Sequence, residues 1–301
     1  MRLKRRVVLI AAVLTVTLCG CIKTPYKPQG ELFPATPPVL EPSESQFSRG
    51  EPVAVVDFLG KYIFSLPAKI VLANWHMENH EISTETEQAL RVYLQENGLT
   101  DVKVRLNEYA PGDEWTRLTR NTSVAAGWRY SVGVLTWLFY TILPQRIFGG
   151  DNYNPFTNTI SIYTDIKAVA LHEGGHAKDF GSTEYKGSVA ILRLLPLYSL
   201  RDEAVASSDA LSYANDKDDV GTVKRGYKTL YPAFGTYVGG ELTLFVPGLR
   251  YATMLLAIPG HIVGRIKAAG VESGETTAVA TPAPVAETPA SPATAQQSNP
   301  K

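Results

Sequence analysis

The feature that most restricts how this chain can fold is the run Lys167 to Phe180, KAVALHEGGHAKDF, which holds two of the chain's five histidines four residues apart. On a helix, positions i and i+4 share a face one turn apart, so His172 and His176 can aim their imidazoles at one point. Ala168, Val169, Leu171 and Phe180 supply an apolar stripe, which predicts that the run is a packed helix. Glu173 lies about 100° round from His172, beside that point rather than on it. Two neutral imidazoles on one face are a ready pair of ligands for zinc. The HExxH pattern then gives the intervening glutamate the place of a general base. A chance match of three fixed residues in a chain this long is expected about once in a hundred.

Gly174 and Gly175 sit between the histidines, and each glycine costs a helix interior about 1 kcal/mol relative to alanine. A solvated helix surface gives no return for that cost, so a close approach of backbone or substrate is expected there. A second pair, His76 and His80 in HMENH, has the same spacing. It falls between an apparent strand and a helix cap, where the two rings need not converge.

The segment TISIYT (159–164) reads as a strand before the histidine helix, and a further helix is expected from about Asp202 to Ala214. In this order the residues resemble the zincin metallopeptidases. The resemblance covers roughly 159–215, and it implies an α+β, zincin-like single domain. Such a domain has a small mixed or antiparallel sheet, an HExxH active-site helix and additional C-terminal helices. Position 182, where the metzincin branch has a third histidine, is Ser182. The gluzincin branch takes a glutamate from a following helix, and SLRDEAVASSDALSYA offers Glu203. Ala206, Ser207 and Ala210 are small residues on that face and would let the second helix come close. Asp179 stands as an alternative third ligand.

The resemblance implies a Zn2+ cofactor on His172, His176 and Glu203, and peptide-bond hydrolysis by a zinc-activated water with Glu173 as general base. Gluzincins often carry an aspartate four residues after the glutamate. Here that position is Ser207, so Asp179, Asp202 and Asp209 are the candidates to orient an imidazole. Tyr231, Tyr237 and His261 are the candidates for an oxyanion donor. By analogy of fold, strand 159–164 is the edge on which a peptide would pair, with 132–148 as a cleft wall.

The N-terminus carries Arg2, Lys4, Arg5 and Arg6 ahead of a twelve-residue apolar run, which reads as an export signal and is short for a membrane span. LCGC at 18–21 resembles a bacterial lipobox, which implies cleavage before Cys21 and lipidation of that residue. Residues 1–20 are then the signal, 21–50 a Pro- and Ser-rich tether, 51–268 the folded domain and 269–301 a disordered Pro/Ala/Thr-rich tail. By resemblance to enterobacterial lipoprotein sorting, Ile22 and Lys23 after the cysteine, in place of an aspartate, imply the outer membrane rather than the inner one in a Gram-negative cell envelope. Without the four N-terminal cations the chain has 25 basic and 29 acidic residues, a net of −4, and no basic run that would suggest nucleic acid.

Inside the domain, AKIVLAN (68–74) reads as a strand, STETEQALRVYLQENG (83–98) as a capped helix and DVKVRLNEY (101–109) as a half-buried strand. Together they predict a β-α-β opening. The apolar stretch 229–265 is broken by Glu241, Pro247, Arg250 and Pro259, which predicts helices packed on the domain. The partner expected is a peptide or envelope-protein substrate. Two other readings stand beside this one. One is a lipid-anchored scaffold or binding protein with a structural or vestigial metal site. The other is a membrane-embedded role for 132–148 and 229–265.

Overall fold

The computed structural model describes residues 25–35, 38–142, 145–148, 150–245 and 252–273. Cys21 and the signal segment lie outside them, as do residues 274–301. The fold is α+β: a four-stranded mixed sheet with helices on it. The strands are β1 (Phe47–Arg49), β2 (Lys103–Leu106), β3 (Asn152–Asn154) and β4 (Thr159–Ile162), in the order β1-β2-β4-β3. β1, β2 and β4 run parallel, and β3 is antiparallel to β4.

The segment 83–98 folds as expected into helix α1 (Thr84–Glu96). Ser83 caps it by accepting from the Thr86 amide at 3.2 Å, and Gly98 closes it at φ +65°, where a side chain would be strained. The β-α-β opening therefore exists, but its first strand is β1. Residues 68–74 correct the expectation: Leu66–Val71 is helical, with Pro67 in the first turn, and a turn follows. Proline fits that position of a helix, and the sheet slot beside β2 is taken by β1.

β2 is wholly buried rather than half-buried. Val104 and Leu106 enter the apolar core. On the other face Arg105 meets Glu114, at 2.7 Å, on helix α2 (Pro111–Arg120), and Lys103 meets Glu44 at 3.2 Å. Burial of these cations is tolerated because each is paired.

The described residues of the expected tether, 25–35 and 38–50, pack on the domain. Beyond β1, Tyr26 donates to Asn97 Oδ1 at 2.7 Å, the Leu40 amide donates to Asp101 at 2.7 Å, and Val39 is fully buried. Helix α3 (Lys167–Gly181) leaves β4 across a short loop and packs between α1 and helix α5 (Tyr198–Asp216), with α4 (Lys186–Leu192) linking α3 to α5.

The C-terminal region forms helices α6 (Val220–Phe245) and α7 (Ala257–Ser273) packed on each other. Their helical contact bears out the packed-helix expectation, and α7 carries ordered chain past the expected boundary at 268. Among the described residues no helix is long and apolar enough to cross a membrane.

Candidate metal centre

His172 and His176 project from the middle of α3 and are both buried. Their Nε2 atoms are 3.1 Å apart. Glu203, in the second turn of α5, places Oε2 3.2 Å from His172 Nε2 and Oε1 3.5 Å from His176 Nε2. Among the described residues these three form the group whose ligand atoms converge closely enough to hold a metal ion. Bonds of 2.0–2.2 Å arranged tetrahedrally set neighbouring ligand atoms about 3.3–3.6 Å apart, close to the separations found. Glu203 Oε2 is buried and makes no aligned hydrogen bond, which also fits a cation between the three.

The two glycines explain how the helices come together. A Cβ on Gly175 would lie 3.0 Å from the Cα and the carbonyl oxygen of Ala206, so glycine lets the α5 backbone touch α3 one turn from Glu203. A Cβ on Gly174 would lie 2.7 and 2.8 Å from the Tyr93 ring on α1. Both glycines therefore serve packing, one toward each neighbouring helix.

The remaining imidazole nitrogens have partners of different kinds. His172 Nδ1 is 3.2 Å from Ser207 Oγ, and His176 Nδ1 is 3.2 Å from Asp202 Oδ2 at ion-pair distance. Of the three aspartates considered from sequence, Asp202 is the one at a histidine. Asp179 pairs with Arg193 and Arg201, and Asp209 with Lys178 and the Tyr93 hydroxyl. Arg193, which sequence reading did not select, joins the cluster: its Nη2 is 2.9 Å from Asp202 Oδ1 and donates to the His176 carbonyl at 3.3 Å. A lone cation in the apolar run ILRLLPL was the signal available for it.

Without metal the three groups form a charged pair and a partner. Burial works against charge on His176, but the Glu203 carboxylate and Asp202 push its pKa up to about 10. Burial also opposes charge on Glu203, yet the imidazolium of His176 and the adjacent imidazole of His172 hold it well below the usual carboxylate range. Glu173 is pushed up to about 7 by burial, with the two histidines pulling the other way.

Glu173, His176 and Glu203 line a cleft of about 310 Å³ together with Asp151, Tyr237 and residues of β3. Tyr237 is held protonated, chiefly by the Glu203 carboxylate and then by burial. Tyr231 is instead buried in the core, and His261 bonds the Val71 carbonyl at 2.8 Å. The sheet edge in this cleft is β3, not strand 159–164, which is internal because β3 covers it. His80 faces Asn107 at 3.0 Å, and the pair His76 and His80 is not in a ligand group.

Comparison with protein-family models, with curated proteins and with solved structures finds no match for this chain.

Proposed function

We propose that the chain is a zinc-dependent metallopeptidase of the zincin type with a gluzincin ligand set, carried on a bacterial envelope membrane by lipid on Cys21. The observation that carries this reading is the meeting of His172, His176 and Glu203 from two helices, with Glu173 beside them in an open cleft. The order of strand, HExxH helix and glutamate helix supports it, as does an antiparallel edge strand at the cleft.

His172, His176 and Glu203 would hold the ion, leaving a corner toward the cleft. Zinc there supplies a Lewis acid that acidifies water and polarises a carbonyl. Glu173, buried beside both histidines and lining the cleft, is placed to accept a proton from such a water and return it to the leaving amine. The free edge of β3 can pair with an extended peptide and so fix the scissile bond beside Glu173. Tyr237, the one of the three candidate donors that lines the cleft, is the donor proposed for the developing oxyanion.

The test is zinc content and peptide hydrolysis of the purified full chain beside three variants. His172→Ala and Glu203→Ala should lose stoichiometric zinc. Glu173→Gln should keep zinc and lose turnover by about a hundred-fold or more. Equal hydrolysis by Glu173→Gln and the parent would remove the mechanism. Zinc retained in a parent that cleaves nothing would favour the scaffold reading.

A further inference from the structure

The mouth of the cleft is rimmed by apolar side chains that the protein leaves uncovered. On one side run helical turns from Ala126 to Ile142, where Leu135 and Phe139 are 53% and 61% exposed. On the other is the link between α4 and α5, where Leu194 and Leu197 are 53% and 59% exposed. Both segments belong to the cleft, since Thr136, Tyr140 and Leu194 line it. Each carries a single charge, and each charge is turned inward. Arg129 donates to the Thr119 carbonyl, while Arg193 serves Asp179, Asp202 and the His176 carbonyl. A soluble surface shows the reverse arrangement, with charges outward and leucines inward. Trp128, Tyr130 and Tyr140, all partly exposed, add the aromatic type that favours the boundary between lipid and water.

The N-terminal chain keeps a bilayer within reach of this rim. Tyr26 is fixed by Asn97, and its ring lies 4.2 Å from Lys178 Nζ on α3, on a different face of that helix from His176. The five-residue step from Cys21 to Tyr26 spans at most about 18 Å. A compact chain of this size has a radius of gyration of about 18 Å, so a domain tied by lipid at Cys21 cannot swing clear of the bilayer. The domain as a whole then stays close to the membrane surface.

We propose that the apolar rim of the cleft docks into the interfacial layer of a phospholipid bilayer, so that the cleft opens at the membrane surface. The reading rests on the lipid anchor assigned above for its placement. It extends the proposed function by making membrane-proximal polypeptide the accessible substrate. No described helix is long and apolar enough to span, so the contact is one of insertion from one side.

The experiment uses the full chain reconstituted in vesicles of phosphatidylethanolamine and phosphatidylglycerol. An environment-sensitive fluorophore is placed at Phe139→Cys, at Leu195→Cys, and at Glu85→Cys as a control on the exposed start of α1, with the parent labelled in parallel. Positions 139 and 195 should shift to the blue and lose about half their emission to lipids spin-labelled near the headgroup, while position 85 should do neither. Water-like emission at 139 and 195 overturns the docking even when mass spectrometry finds diacylglycerol on Cys21. Quenching at both supports it whatever that mass shows. Shielding without lipid quenching, rising with protein-to-lipid ratio, would assign the rim to a second copy or another protein and overturn the proposal.

Discussion

Replacing Gly175 with alanine tests whether contact between two helices sets the metal centre. The added methyl would sit 3.0 Å from Ala206 Cα, against the 3.5–4.0 Å at which carbons pack. The opposing atoms are backbone, so no rotamer change relieves the contact, and α5 must retreat by roughly 0.5 Å. Glu203 lies three residues earlier on the same helix and moves with it. Metal sites tolerate about 0.2 Å in a ligand distance, so zinc affinity should fall about ten- to a hundred-fold. That corresponds to about 1.4–2.7 kcal/mol.

The metal-free protein faces two opposed effects. Alanine favours the helix by about 1 kcal/mol, while overpacking costs about 1–3 kcal/mol, so a net loss of roughly 0–2 kcal/mol is expected. Competition titration against a chromophoric zinc chelator reads the first quantity, and urea melts with and without metal read the second. Gly174→Ala is the comparison. Its methyl meets the ring of Tyr93, which is fully buried and anchored through its hydroxyl to Asp209. It should cost more stability, about 3 kcal/mol, and disturb zinc less, because α1 carries no ligand. Unchanged zinc affinity in Gly175→Ala, with metal-free protein more stable by about 1 kcal/mol, would show that helix propensity is the whole effect and refute the reasoning.

Two further outcomes follow from the charges around the site. Asp202→Asn removes the carboxylate beside His176 and should lower zinc affinity about ten-fold or more, read in the same titration; an unaltered affinity would mean that Arg193 and the backbone orient the ring unaided. Glu78 is pushed up to about 7 by burial and by the charge of Asp151, with Lys69 opposing. A carboxyl raised in the fold contributes stability below its unfolded value that is lost as pH rises through the folded one, here between about 4.5 and 7. Glu78→Gln should remove that slope and stabilise the protein at pH 8 by on the order of 2 kcal/mol, measured by urea melts at pH 5 and 8; parallel pH profiles for parent and variant would refute it.

What could be read from the residues was whatever local periodicity decides. The α1 helix declared its cap and its terminating glycine, and α3 its stripe and histidine spacing. Glu203 was reachable because small residues follow it at 206, 207 and 210, which is a statement about how closely a second helix can come. The misread segments depend on partners distant in the chain. Whether 68–74 is a strand depends on a free place beside β2, and residues 47–49 hold it from within a stretch whose proline content reads as linker. The alternation in β2 marked Lys103 and Arg105 as solvent-facing, because nothing local announces the carboxylates of Glu44 and Glu114 that bury them. Strand 159–164 reads as an edge from sequence because β3 is three residues long in a loop of turn-forming asparagines.

The serine at position 207 carries the most consequence among these departures. A site that lacks the aspartate at that place would leave its histidines poorly oriented, unless another element supplies the charge. Here Asp202 supplies it, but to the other histidine, and from the residue next to the candidate ligand Glu203. One turn of α5 therefore carries both the candidate ligand Glu203 and the carboxylate at ion-pair distance from the candidate ligand His176. Their positions cannot be adjusted separately, and a displacement of α5 moves both together. The same turn is tied through Arg193 to Asp179 and through it to Arg201, so the leucine-rich rim between α4 and α5 is fastened to the ligands by a buried cation. If lipid or substrate displaces that rim, the shift reaches His176 through Arg193 and Asp202, and reaches His172 through Glu203 and Ser207 of the same helix.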